Sequence, residues 1–255
     1  MVRRRFAALV ALLALPLLAG ARDPILVPEV SQHEVDLQQG FTGTELLLFG
    51  AILTPEGSRA AQDYDIVVVL KGPTQSIVVR EKQKVAGVWI NADSTELRSA
   101  PSYYAIASTR PIAEIVDEKT AAIYELGLEW LQLSPIGAID PEEQARFAAG
   151  LVDLNRRHGL YREEAGGVKV SEQVLYQARI DLPSRVPIGT YTAETFAISD
   201  GKVVASASSQ VEVRKIGIER AIANFSENYG LAYGLLAVFI SIGMGWLAGR
   251  LFALV

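Results

Sequence analysis

The sequence has no cysteine and only two histidines, His33 and His158, among 255 residues. The first absence excludes thiol redox chemistry, covalent haem attachment, iron–sulfur clusters and cysteine-ligated zinc. The second excludes a histidine-rich metal site, because the two lie 125 positions apart and His158 stands where a helix end takes a basic residue. Basic charge is also in short supply: 24 Lys and Arg face 29 Asp and Glu, for a net charge of −5. That balance argues against a surface for nucleic acid. There is no G-x-S-x-G, no P-loop and no H-E-x-x-H run. Asp63 with Asp65 and Glu163 with Glu164 are paired acids in polar surroundings, where solvated carboxylates are the ordinary case. The expectation is therefore a protein with no cofactor, no metal and no catalytic residues.

What the sequence does have is a run of nineteen residues without a charge, Leu231 to Gly249, close to its C-terminal end. At about 1.5 Å per residue a helix of this length covers roughly 28 Å, the thickness of a bilayer's hydrocarbon core. Tyr229 and Tyr233 stand at one end, Trp246 and Arg250 at the other, which are residue types that settle at membrane interfaces. A transmembrane helix is expected over residues 230–250, with 251–255 as a cytoplasmic tail. Gly230, Gly234, Ala237, Ser241, Gly245 and Gly249 recur at spacings of three and four, so that small side chains share one face. Such a face either receives a second helix or reflects the general abundance of small residues in membrane helices. Before it, Ile218, Ile222, Phe225 and Tyr229 predict an amphipathic stalk over 214–229.

The other end carries Arg3, Arg4 and Arg5, an apolar run from Phe6 to Leu18, and Ala19-Gly20-Ala21. These are the parts of a secretory signal peptide, expected over residues 1–21 with cleavage after Ala21. Its removal takes three arginines and no acid, leaving 21 basic against 29 acidic residues. Export places residues 22–213 in the periplasm and the helix in the bacterial inner membrane. Without disulfides, that domain must rest on an ordinary hydrophobic core.

Within it, Thr44–Leu53, Tyr64–Leu70, Ser76–Lys84, Val85–Asn91 and Tyr103–Ser108 read as strands. Residues 111–165 turn helical. Ala113–Leu133 is interrupted by Gly127, whereas Asp140-Pro141-Glu142-Glu143 opens a well-signalled helix with Phe147, Leu151 and Leu154 on one side and Gly159 as its stop. Strands return at Val174–Leu182, Thr190–Ile198 and Lys202–Val213, the last two joined by Asp200-Gly201, a hairpin signal. Tyr191, after Pro187-Ile188-Gly189-Thr190, has the setting of a tyrosine corner. The fold class expected is mainly β: an immunoglobulin-like β-sandwich with a helical insertion, plus the C-terminal transmembrane helix. Two separate β domains are the alternative.

The run Arg80 to Asn91 (REKQKVAGVWIN), Pro101-Ser102-Tyr103-Tyr104, the Pro187 to Tyr191 corner, Tyr233-Gly234 and Gly245-Trp246 resemble the putative transmembrane protein family of alphaproteobacteria. The resemblance covers nearly the whole mature chain. It implies this topology and an association with membrane transporters of the sulfite-exporter kind, and it brings no catalytic residue with it.

Arg80, Lys82 and Lys84, at spacing two, place three cations on one face of a strand, with Trp89 and Asn91 soon after. They could hold an oxyanion, helped by backbone amides near Gly72 and Gly87; equally, charge on an edge strand keeps sheets from pairing with one another. Three functions are open: first a periplasmic interaction domain acting as accessory subunit of a membrane complex, in contact with the bilayer and with another membrane protein or itself; second a sensor of a small anionic ligand; and a distant third, an enzyme. The topology has a direct check. A reporter active only in the periplasm should work when fused after Val213 and fail when fused after Val255; the reverse pattern contradicts it.

Overall fold

The computed structural model describes residues 24–38, 40–53, 64–137, 139–172, 174–215 and 218–252. The signal-peptide reading, the turn at Thr54–Ser58 and Asp63 lie outside the described residues, as does the side chain of Ile218. The chain divides into two compact units, Met1–His33 with Thr42–Glu212, and Glu34–Phe41 with Val213–Val255.

The strands are β1 (Ile25–Val30), β2 (Glu34–Leu37), β3 (Gly43–Leu53), β4 (Asp65–Lys71), β5 (Thr74–Val85) and β6 (Val88–Pro101). They continue as β7 (Tyr104–Ser108), β8 (Tyr161–Ala165), β9 (Val168–Ser171), β10 (Leu175–Pro183), β11 (Gly189–Ser199) and β12 (Lys202–Lys215). The helices are α1 (Ile112–Ile115), α2 (Glu118–Tyr124), α3 (Pro141–Arg157), α4 (Ile218–Asn228) and α5 (Gly230–Phe252).

In the first unit, four strands form an antiparallel sheet in the order β1-β3-β10-β9, and a second sheet runs β12-β11-β4-β7-β8. Contacts of β4 with β9 and β10, and of β1 with β11, join them as a sandwich. Strands from before the helical segment pair with strands from after it in both sheets, β3 with β10 and β4 with β11. β4 explains the architecture. Its sequence, Ile66 to Leu70, is apolar without alternation, and all five residues are fully buried. A strand with apolar side chains on both faces needs two covers. Val67 and Val69 pack with Tyr104, Ile106, Phe196 and Ile198 against Ile112, Ile115, Leu126 and Leu128 of the helical segment. Ile66, Val68 and Leu70 point the other way by strand alternation, toward the four-stranded sheet.

The helical segment departs from the expectation in two ways. Ala113–Leu133 is not one helix: α1 ends in extended Val116, α2 starts on the Asp117 carboxylate, which accepts from the Thr120 amide at 2.8 Å, and it ends on left-handed Glu125. Gly127, at φ 119°, then leads into a 3₁₀ turn at Leu128–Trp130. These breaks let Ile112, Ile115, Leu126 and Leu128 all reach the same sheet face, which one straight helix would not allow. The insertion also ends earlier than residue 165. Tyr161–Ala165 is β8, paired in parallel with β7, because the chain leaving α3 at Gly159 returns to the sheet edge. Within α3 the buried side is Phe147, Leu151 and Asn155; Leu154, expected there, is 49 % exposed. Asp140 caps this helix by accepting from the Glu142 amide at 2.9 Å.

Five tyrosines are buried almost completely, and the hydroxyls of four of them tie distant segments together. Tyr103 donates to Asp181 O at 2.8 Å, Tyr104 to Glu125 O at 2.6 Å, Tyr161 to Pro101 O at 2.6 Å and Tyr176 to Thr195 Oγ1 at 3.3 Å. Tyr191 donates to Pro187 O at 2.8 Å, the tyrosine-corner bond expected of it. Burial pushes the Tyr161 hydroxyl up to about 12, and raises Tyr103, Tyr104 and Tyr191 as well, so all remain neutral donors. Gly50 is required by one of these rings: an added Cβ would lie 2.3 Å from Val27 O and 2.5 Å from the Tyr176 hydroxyl. Where the chain leaves the sheet for α1, Arg110 grips Asp65 through two hydrogen bonds of 2.9 and 2.6 Å and holds its carboxyl below the usual carboxylate range.

In the second unit, Arg214 pairs with Glu34 and, at 2.9 Å, with Asp36, fixing β2 beside the end of β12. α4 turns at Tyr229 into α5, and the Tyr229 and Tyr233 amides carry the hydrogen bonding across the turn to Phe225 O and Tyr229 O.

Tyr191→Phe removes one buried hydrogen bond and strands the Pro187 carbonyl, so thermal or urea unfolding should show a loss on the order of 1 kcal/mol or more. A loss near zero would mean that the corner does not hold the loop.

Candidate functional site

β5 and β6 form a two-stranded ribbon that leaves the sheet after β4 and returns to it before β7. At about 3.4 Å per residue its twelve-residue arm, β5, reaches about 40 Å. Ala86 and Gly87, both at positive φ, make the turn. The pairing places Lys84 opposite Trp89, Lys82 opposite Asn91 and Arg80 opposite Ser94. Directly opposed residues share a face, so the cations and the two residues singled out with them in the sequence come together on one side of the ribbon. All of these side chains are exposed, and those of Arg80, Lys82 and Lys84 have no ion-pair or hydrogen-bond partner among the described residues.

The opposite face changes character along the ribbon. Near its base, Ile77, Val79, Leu97 and Ala100 pack with Leu133, Ala148, Leu151 and Val152, so α3 covers it. Arg146 of α3 reaches Glu81 at 3.1 Å. Beyond that contact the same face carries Gln83 opposite Ile90 and Val85 opposite Val88, all exposed. Sequence reading found the cations and Trp89. It did not find the apolar tip, because Val85, Val88 and Ile90 look like ordinary strand residues until the length of α3's cover is known.

The arrangement does not enclose an anion. The Gly72 amide is committed to Tyr103 O at 2.8 Å, and Gly87 lies at the open turn. The three cations form an open face.

Elsewhere, acids serve structural ends. An open cleft of about 820 Å³ includes Trp130, Arg156 and Glu163, but the Glu163 carboxylate already accepts from the Leu128 amide at 3.3 Å. Lys71 contacts Glu125 at 2.9 Å and Glu194 at 3.3 Å. Its partial burial disfavours the charge, and the two carboxylates outweigh this and raise its pKa. His33 pairs with Glu29. Among the described residues no group of three or more His, Cys, Asp or Glu is placed to hold a metal.

The second candidate surface is α5, which is long and apolar enough over Gly230–Arg250 to cross a membrane and has none of that stretch buried. A Cβ added at Gly230, Gly234, Gly245 or Gly249 would meet nothing within 4 Å. Ser241 donates to Ala237 O at 2.8 Å, so its own hydroxyl is paired within the helix. Arg250 lies over the Trp246 ring at 5.7 Å.

Together these features define a β-rich protein with one helix, among the described residues, suited to the bilayer. Residues 25–253 match the family described as putative transmembrane protein (Alph_Pro_TM), and the chain belongs to it. A comparison with curated proteins finds no match.

If the cations of the ribbon carry no structural duty, Arg80→Gln, Lys82→Gln and Lys84→Gln should each shift unfolding free energy by no more than about 0.5 kcal/mol in denaturant titration. A large loss would make them part of the fold.

Proposed function

We propose that this is a single-pass inner-membrane protein whose sandwich faces the periplasm, and that it acts without catalysis as an accessory subunit of a membrane complex. The observation that carries this reading is the open small-residue face of α5: Gly230, Gly234, Ala237, Ser241, Gly245 and Gly249 on a helix with no buried residues in its apolar stretch. In lipid there is no hydrophobic drive between helices, and close backbone approach along small residues supplies the dispersion contact that holds them together. Just before the span, Phe225 and Tyr229 form an exposed aromatic pair, ring centroids 5.8 Å apart. The partner is a second membrane protein or a second copy of this chain. A transporter fits, since a small periplasmic domain on one helix is a form that an accessory subunit takes. The alternative, a sensor that encloses a small anion, draws less support from the open disposition of Arg80, Lys82 and Lys84.

Gly245→Leu combined with Gly249→Leu should reduce crosslinking and co-purification from detergent-solubilised membranes by obstructing backbone approach. Membrane insertion should be unchanged, because Leu favours the bilayer at least as well as Gly. Association equal to that of the unaltered protein would reduce the helix to an anchor and remove this reading's support.

A further inference from the structure

Among the described residues, nothing covers either face of the distal half of the β5–β6 ribbon. Between Lys82 and Asn91 there are two cations, no acid, three aliphatic side chains and one tryptophan, in a chain whose net charge is −5. Val88 and Trp89 are 63 % and 65 % exposed. A two-stranded ribbon is marginal in water when nothing packs on it, and α3 supports only the base of this one. The tip therefore carries an apolar cluster, Val85, Val88 and Ile90, on one face and Arg80, Lys82, Lys84 and Trp89 on the other.

We propose that this tip docks on an anionic phospholipid surface, with Val85, Val88 and Ile90 entering the headgroup region and Trp89 and the three cations lying at its level. Charge complementarity selects this occupant. A bilayer surface presents apolar depth and phosphate oxygens at once, and a tip inserted there is surrounded by headgroups on all sides, so that both faces of the ribbon are satisfied by one surface. Tryptophan prefers that depth, and basic side chains next to an apolar wedge are the usual companions of interfacial insertion. A chain that carries a helix suited to spanning a bilayer is held at a membrane. The inference does not depend on the accessory-subunit reading, since it uses neither the small-residue face nor a protein partner.

Each cation near an anionic surface favours partitioning by about fivefold, so removing three should be visible well above the loss of one contact. The chain has no cysteine, so Val88→Cys in the full-length protein accepts a single nitroxide without removing any native thiol. The protein would be placed one copy per nanodisc, in phosphatidylcholine alone or mixed with phosphatidylglycerol. Relaxation of the label by oxygen and by a water-soluble nickel chelate would then be compared, with Ile188→Cys, an exposed site on the sandwich, as reference. In the anionic discs the Val88 label should favour oxygen severalfold over the Ile188 label. That preference should fall severalfold in phosphatidylcholine alone, and equally when Arg80→Gln, Lys82→Gln and Lys84→Gln are combined. Circular dichroism should show the same unfolding midpoint for all variants. A Val88 label as open to nickel as the Ile188 label in anionic discs overturns the proposal. So does a preference for oxygen that ignores both the lipid charge and the cations. A label screened from nickel only in native membranes also overturns it, and assigns the tip to a protein partner instead.

Discussion

The burial of β4 on both faces is the constraint from which the rest of the sandwich follows. Five consecutive apolar residues, Ile66 to Leu70, cannot sit at the surface of a sheet that meets water on one side. One face is covered by the sheet of β1, β3, β9 and β10, the other by the short helices and turn between Ile112 and Trp130. The helical segment is thus the second wall of the core, and its breaks at Val116, Glu125 and Gly127 are what bring four separated apolar residues onto one plane.

With no disulfide to hold the loops, buried tyrosines hold them. Each ring contributes apolar area to a layer, and the hydroxyls other than that of Tyr191 reach a carbonyl or hydroxyl in a segment remote in sequence, Tyr103 to Asp181 and Tyr161 to Pro101 among them. Tyr103 and Tyr104, neighbours at the entry to β7, serve opposite sides: Tyr103 pairs with the Tyr191 ring, Tyr104 with that of Tyr161. A hydroxyl that stays neutral at any physiological pH makes this bonding insensitive to proton concentration, and its loss leaves an unpaired buried group, so the cost of removal exceeds the value of the bond itself.

The two candidate surfaces answer different physical demands. The small-residue face of α5 lies where lipid offers no hydrophobic gain and only shape complementarity can add contact. The ribbon tip has apolar and basic groups and no fold of its own to bury them. The two surfaces belong to different units of the chain.

Much of this was legible in the residues themselves. The uncharged run at Leu231–Gly249, the cap and stop of α3, the Asp200-Gly201 hairpin and the Tyr191 corner are local patterns, each decided by length, by one backbone conformation or by a few neighbouring side chains. The cations at 80, 82 and 84 are on one face because strand geometry alternates. What only the tertiary structure decided depends on distant partners: that 161–165 returns as a parallel strand beside β7, that Asn155 and not Leu154 faces inward, and that α3 covers the ribbon's base and stops short of its tip. Periodicity states which side of an element is apolar. Whether that side is covered is set by where the next element ends, and the chain carries that information only through the packing of the whole.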